Sequence, residues 1–189
     1  MALNDFSDLA ITKKPNPLTL ARLRAIIRTY GPDLNFNQRS TNLGSTFLVE
    51  TCRARYVHVG VILSCVKELV RKHGASPDVP AIEGGWEVSH GDKRRKVKYL
   101  PPLVVASARG MPSVVRYLVG SSVGANVGTE GTSRFRLYMK PKRSVGGTFT
   151  ALDFARAMLE AEVENGATEE DVGSLNECIR ILGRQSKGK

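Results

Sequence analysis

Apolar residues recur at helical spacing in short segments of this chain, and glycine-rich turns separate the segments. Within residues 100–127, Pro102 is placed to open one short helix, since proline lacks only an N–H that the first helical turn leaves unpaired. A second helix follows, with Val115, Leu118 and Val119 on one face at i, i+3 and i+4. Helices of about two or three turns cannot bury an apolar face alone, so this segment predicts a helical pair that packs against similar neighbours.

The same spacing predicts further helices along the chain. Thr168 is placed to cap the last of them, because three acidic residues follow it in what would be the first turn. The apolar positions are Leu23, Ile26, Ile27 and Tyr30 in the first helix, Val66, Leu69 and Val70 in the second, and Leu175, Cys178, Ile179 and Leu182 in the last. We therefore expect an all-α fold.

Two segments interrupt the helical pattern with an alternation that is typical of strands. Residues 84–99 contain a turn at 90–92 and a basic return strand. Within residues 129–147, positions 134–140 alternate basic or polar with apolar side chains, Pro141 ends the alternation, and Gly146-Gly147 lets the chain turn back. We expect each segment to form a β-hairpin inserted between helical pairs.

Residues 100–127 resemble an ankyrin repeat, whose pattern is T-P-L-H-x-A, two short helices separated by glycine, and a closing G-A-D/N-V-N. Pro101-Pro102-Leu103-Val104-Val105-Ala106 occupies the opening motif, Gly110 lies between the helices, and Gly124-Ala125-Asn126-Val127 forms the closing motif. The opening motif recurs at Thr150-Ala151-Leu152-Asp153-Phe154-Ala155 and, with phenylalanine in place of proline, at Thr46.

Closing motifs at Gly31, Gly74 and Gly124 interleave with these openings. They lie 43 and 50 residues apart, whereas the family period is about 33, and the excess falls in the connections between repeats. A HEAT-like helical array, with a period of about 40–47, is the alternative. The resemblance implies an ankyrin-repeat solenoid of about 3–4 helical hairpins with inserted β-hairpin fingers. It would span residues 18–184, between a flexible arm at 1–17 and a tail at 185–189.

Charge is distributed unevenly along the chain, whose formal net charge is +10. Residues 92–98 contain five basic residues and one acidic residue, and residues 134–143 contain five basic residues and no acidic one. These two segments supply nine of the ten excess charges, whereas the acidic region 157–179 contains no Lys or Arg. We therefore expect a lopsided molecule whose basic side contacts an acidic partner.

Residue types that support catalysis or metal binding are scattered. His58, His73 and His90 have neither metal-ligand nor triad spacing, and the three cysteines lack a C-x-x-C motif. The glycine-rich stretch 120–124 lacks the Lys-Ser/Thr of a phosphate-binding loop. The sequence predicts a protein that is not an enzyme and that uses no cofactor or metal.

The sequence also bears on the compartment. No apolar run is long enough to span a bilayer, and residues 1–12 lack the apolar core of a secretory signal. Together with an odd number of cysteines, this favours an intracellular protein, in the cytoplasm, the nucleus or an organelle.

The two basic segments carry aromatic residues among their charges, which makes them the candidate partner-binding surface. The candidates are Trp86, Lys93, Arg94, Arg95, Lys96, Lys98, Arg134, Phe135, Arg136, Tyr138, Lys140, Lys142 and Arg143. The structural alternative is that these charges only protect strand edges against aggregation. That role needs only one or two charges per strand. Basic and aromatic residues on a strand suit an acidic protein surface, and equally a phosphate backbone with stacked bases.

The family resemblance implies a protein-binding scaffold. The first hypothesis is a non-catalytic scaffold or adaptor, a subunit of a larger assembly, that binds an acidic protein partner through the two basic fingers. The alternative is a structural subunit that contacts RNA or another nucleic acid. Binding to an anionic membrane surface is disfavoured because the basic residues lie on strands and not on an amphipathic helix, and membrane insertion is not expected.

Overall fold

A computed structural model describes residues 19–30, 34–39, 44–54, 57–89, 92–136 and 144–186. Within the strands it describes the backbone, with burial defined only at Ala81, Ile82, Leu100 and Gly131. Helices make up most of the regular secondary structure in these ranges, which confirms the prediction of a mainly helical chain. The predicted arm at residues 1–17 and the closing motif at Gly31 lie outside the described residues.

The described residues form seven helices and four strands. In chain order they are α1 (Leu20–Tyr30), α2 (Phe47–Arg53), α3 (Val59–His73), β1 (Ala81–Ser89), β2 (Asp92–Leu100), α4 (Pro102–Ala108), α5 (Pro112–Val119), β3 (Gly131–Arg136), β4 (Ser144–Phe149), α6 (Ala151–Glu164) and α7 (Glu169–Ser186).

The helices pack in two layers. In one layer α2 contacts α4 and α4 contacts α6, and in the other α1 contacts α3, α3 contacts α5 and α5 contacts α7. The layers are joined by contacts between consecutive helices, α2 with α3, α4 with α5 and α6 with α7. All seven residues of α4 are buried, whereas α5 buries only Val114, Val115, Leu118 and Val119. The core therefore lies between the layers and surrounds α4.

Side-chain caps fix where α2 and α6, two helices of the same layer, begin. The Oγ1 atom of Thr46 accepts a hydrogen bond from the backbone N–H of Val49, 3.3 Å away. Thr150 forms a reciprocal pair with Asp153, whose backbone N–H donates to Oγ1 while its carboxylate accepts from the N–H of Thr150. These caps satisfy N–H groups that an α-helix leaves unpaired at its start.

Glycines with positive φ lie in the turns that the sequence predicts after α3, α4 and α5. Gly74, Gly110 and Gly124 have φ angles of 64°, 60° and 66°. After Gly74 and Gly124 the next backbone N–H turns back to a helical carbonyl, from Ala75 to Leu69 at 3.0 Å and from Ala125 to Leu118 at 2.9 Å. Both turns thus bond back to the preceding helix, over six residues from Ala75 and over seven from Ala125.

Three turns, at residues 35–37, 76–78 and 126–128, are linked to one another. Oδ1 of Asn37 accepts a hydrogen bond from the N–H of Ser76 at 2.6 Å, and Oδ1 of Asp78 accepts one from the N–H of Asn126 at 2.9 Å. In each turn a side-chain oxygen also accepts a hydrogen bond from the backbone N–H two residues later. The accepting side chains are those of Asn35, Ser76 and Asn126. The same local geometry therefore occurs three times along the chain.

The last helix differs from the prediction in which residues form its buried face and in where its C-terminus lies. Thr168 caps it as predicted, since its Oγ1 accepts from the N–H of Asp171 at 3.2 Å. Ile181 is buried and Ile179 only half-buried, because position 181 follows the buried Cys178 by one helical turn. The helix continues to Ser186, so the predicted boundary between domain and tail at residue 184 lies inside α7.

Candidate protein-binding surface

The four strands form one antiparallel sheet in the order β1-β2-β3-β4. Strands β1 and β2 pair along their whole length, from Ala81 opposite Leu100 to Ser89 opposite Asp92. Strands β3 and β4 pair from Gly131 opposite Phe149 to Arg136 opposite Ser144. The basic strands β2 and β3 are the two central strands and are neighbours.

A single row of residues crosses the sheet where it meets the helices. Tyr99 on β2 lies opposite Thr132 on β3, and the same two residues lie opposite Ile82 and Thr148 on the outer strands. The N–H of Ile82 donates to the carbonyl of Gly44 at 2.7 Å, which extends the row to the turn before α2. The row attaches both strand pairs to the helical body at one level.

Gly44 is required at this contact for two reasons. Its φ angle is 59°, in the left-handed region that side chains other than glycine rarely adopt. A Cβ atom at this position would also overlap the carbonyl oxygen of Ile82. The turn before α2 can therefore approach β1 closely only with glycine.

The sheet brings together most of the predicted partner-binding residues. Trp86 lies on β1, the basic residues Lys93, Arg94, Arg95, Lys96 and Lys98 lie on β2, and Arg134, Phe135 and Arg136 lie on β3. Tyr138, Lys140, Lys142 and Arg143 lie outside the described residues. Segments that are far apart in the chain thus supply seven basic residues to two adjacent strands.

Strand register places acidic positions against only one of the basic strands. Glu83 lies opposite Lys98 and Glu87 opposite Arg94, whereas β4, opposite β3, has no charged residue. The four strands contain seven basic and three acidic residues, a net charge of +4. Positive charge is therefore in excess over the sheet and is least balanced on the β3 side.

A second basic cluster, which lies outside the two basic segments of the sequence, is formed between α5 and α7. Glu177 accepts hydrogen bonds from Nη2 of Arg116 at 2.6 Å and from Nε and Nη2 of Arg180, both at 2.6 Å. These bonds, those from Arg180 above all, lower the pKa of Glu177 to about 2. Arg184 lines the same cavity, so the end of α7 is basic although the region before it is acidic. Helical spacing could have paired Glu177 with Arg180 but could not have added Arg116.

The histidines of the described ranges make capping or packing contacts, and the cysteines are buried. Nδ1 of His58 accepts the N–H of Gly60 at the start of α3, and the ring of His73 lies 4.9 Å from that of Phe36. Cys52, Cys65 and Cys178 are buried, and burial raises the pKa of each thiol to about 12. In these ranges no three His, Cys, Asp or Glu side chains are grouped as a metal site requires.

Two further findings concern the chain as a whole. Among the described helices, none has both the length and the apolar character that a membrane crossing demands. No protein-family model, curated protein or solved structure matches the sequence.

Proposed function

We propose that this protein is a non-catalytic scaffold or adaptor that binds an acidic segment of a protein partner through strands β2 and β3. One observation carries the proposal: the two basic segments of the chain, separated by α4 and α5, form neighbouring strands in the middle of one sheet. Seven basic residues on adjacent strands form a field that attracts and orients an acidic partner.

Repeated contacts support an ankyrin-like architecture for this scaffold. The turn-to-turn hydrogen bonds at Asn37–Ser76 and Asp78–Asn126 are equivalent, and the helices stack in two parallel rows. Each strand pair lies between the second helix of one pair and the first helix of the next. This is the place where connections project as fingers in the family, and repeat proteins use such extended surfaces to bind partners.

An acidic protein is the favoured partner because the strands carry excess positive charge beside a stacked helical body, and repeat-like helical arrays use such extended surfaces to bind proteins. The row at Ile82, Tyr99 and Thr132 attaches both strand pairs to that body, so that a partner contacting them is held against the scaffold. We infer a role as a subunit of a larger assembly, in which the basic strands contact one component.

RNA is the second candidate, and one observation favours it. Aromatic residues alternate with the basic ones: Trp86 lies opposite Arg95, and Phe135 lies between Arg134 and Arg136. Bases stack on aromatic side chains while basic side chains neutralise phosphates, so this arrangement suits a single-stranded nucleic acid.

Capture from cell extract with and without RNase tests the proposal. Three forms are compared with the parent: R94E/R95E on β2, R134E/R136E on β3, and the control R28E/R156E. Arg28 and Arg156 are exposed on the helices α1 and α6 and not on the basic strands, so the control matches the charge change. Partners that survive RNase and the control but are lost with either strand variant support the protein-binding proposal. Partners lost on RNase treatment of the parent favour the RNA candidate, and partners kept by all variants contradict both.

A further inference from the structure

A small cavity of about 230 Å³ lies between α5 and α7, away from the sheet. Its lining includes the guanidinium-bearing residues Arg116, Arg180 and Arg184 and the apolar residues Val119 and Ile181. We propose that this cavity binds the carboxylate of an acidic peptide segment that carries an apolar side chain beside the acid. The site is independent of the basic strands and would provide a second contact for a protein partner.

Hydrogen-bond donors remain in the cavity after the internal ion pairs are formed. Glu177 occupies Nη2 of Arg116 and both Nε and Nη2 of Arg180. Each guanidinium has five N–H donors, so Arg116 and Arg180 keep others. Among the described residues Arg184 has no ion-pair partner within 4.0 Å. A carboxylate with two acceptor oxygens matches the fork of a guanidinium.

Charge favours a singly charged ligand. These arginines also have a structural role, because cations near the ends of α5 and α7 offset the negative charge of the helix termini. Each terminus is worth roughly half a charge. Two such termini and one glutamate offset about two of the three arginine charges, which leaves roughly one positive charge. That remainder suits a carboxylate better than a phosphate with two negative charges.

The apolar lining favours a peptide over a phosphate-rich ligand. Val119 and Ile181 belong to the core, with 8% and 7% of their surface exposed, and their exposed edges face the cavity. An apolar side chain next to the acid can cover these edges, whereas a phosphate group cannot. An acidic segment with alternating leucine or valine meets both requirements.

Arginine Nε–Hε NMR spectra of the full chain test the site directly. The probe is acetyl-Leu-Glu-Leu-amide, titrated to about 20 mM because exposed ion pairs support only millimolar affinity. Acetyl-Leu-Gln-Leu-amide is the matched control, and inorganic phosphate is the third probe. We expect saturable shifts of Arg116, Arg180 and Arg184 with the glutamate peptide, and weaker ones with the other two probes.

Two substitutions with opposite expected effects complete the test. R184Q removes one donor group and should weaken peptide binding about two- to fivefold. E177Q removes the internal competitor for Arg116 and Arg180 and should strengthen binding by a similar factor. Backbone amide spectra establish that both variants are folded, and the control R28E/R156E, whose charges lie outside the cavity lining, should bind the peptide as the parent does. The inference is overturned if the three arginines do not shift, if glutamine or phosphate shifts them equally, or if E177Q fails to strengthen binding.

Discussion

Oδ1 of Asp78 accepts a hydrogen bond from the backbone N–H of Asn126, 2.9 Å away, and so joins two turns that are 48 residues apart in sequence. Asn37 makes the same bond to Ser76 at the preceding junction. Since the strand pair β1–β2 and the helices α4 and α5 lie between Asp78 and Asn126, this bond fixes the turn after α3 against the turn after α5.

Loss of the Asp78 acceptor should destabilise the chain by about 1 kcal/mol, the usual net contribution of one hydrogen bond. Asp78→Ala is compared with Asp78→Asn, whose amide keeps an oxygen at the same place. Urea unfolding monitored by circular dichroism measures the free energy of unfolding. Equal losses for the two variants would show that the bond to Asn126 is not what Asp78 contributes.

Gly44→Ala should be much more destabilising than Gly74→Ala. Both glycines have positive φ, which costs a side-chain-bearing residue about 1–2 kcal/mol. A Cβ at Gly74 meets open space, whereas one at Gly44 overlaps the carbonyl of Ile82, so the turn or β1 must move. Thermal unfolding of both variants gives the comparison. If Gly44→Ala costs no more than Gly74→Ala, the close contact between the turn before α2 and strand β1 is wrong.

Glu68 should make the stability of the fold depend on pH below 4.5. Its carboxylate accepts from Nε and Nη2 of Arg24 at 2.9 and 3.0 Å and lies 3.3 Å from Nζ of Lys72. The bonds from Arg24, above all, lower the pKa of Glu68 from 4.5 to about 2. Because the folded pKa is the lower one, this contribution is complete above pH 4.5 and disappears as the pH falls towards 2.

Glu68→Gln should therefore be less stable than the parent at pH 7 and should lose less stability between pH 4.5 and 2. Glu160→Gln is the control, since Glu160 is exposed on α6 and forms no ion pair within the described ranges. Unfolding free energies at several pH values provide the measurement. A Glu68→Gln profile parallel to that of the parent would contradict the Arg24–Glu68 contact.

The three cysteines should be unreactive in the folded protein. Burial raises the pKa of Cys52, Cys65 and Cys178 to about 12, so the thiolate that attacks a disulfide reagent is scarce at pH 8. Titration with an aromatic disulfide reagent should release three equivalents of thiolate in denaturant, and only slowly without it. Rapid release of one equivalent from the native protein would place that cysteine at the surface.

Local chemistry explains the part of the fold that the sequence predicts well. Thr168 caps α7 through a bond to Asp171, and Gly74 ends α3 in the left-handed conformation, so a helix start or end can be read from the residues around it. The end of the last helix was harder to place. The domain boundary expected at residue 184 lies inside α7, which continues through Gly183 to Ser186 although a helical glycine costs about 1 kcal/mol.

Contacts between distant segments were not predictable in the same way. Nothing near Tyr99 in sequence indicates that it lies opposite Thr132, and this pairing is what makes the basic strands neighbours. Similarly, Arg116 and Glu177 meet only because α5 packs on α7. The charge of each segment could be read from the sequence, whereas its combination with another segment depends on tertiary structure.

The central claim, that β2 and β3 bind an acidic protein segment, is tested most directly with purified components. Fluorescence anisotropy measures binding of a labelled glutamate-rich peptide and a labelled single-stranded RNA to the parent, to R94E/R95E, to R134E/R136E and to the control R28E/R156E. The proposal predicts that each strand variant weakens peptide binding at least about tenfold, that the control does not, and that RNA does not displace the peptide at equal concentration. Equal weakening by the control, or complete displacement by RNA, would contradict it.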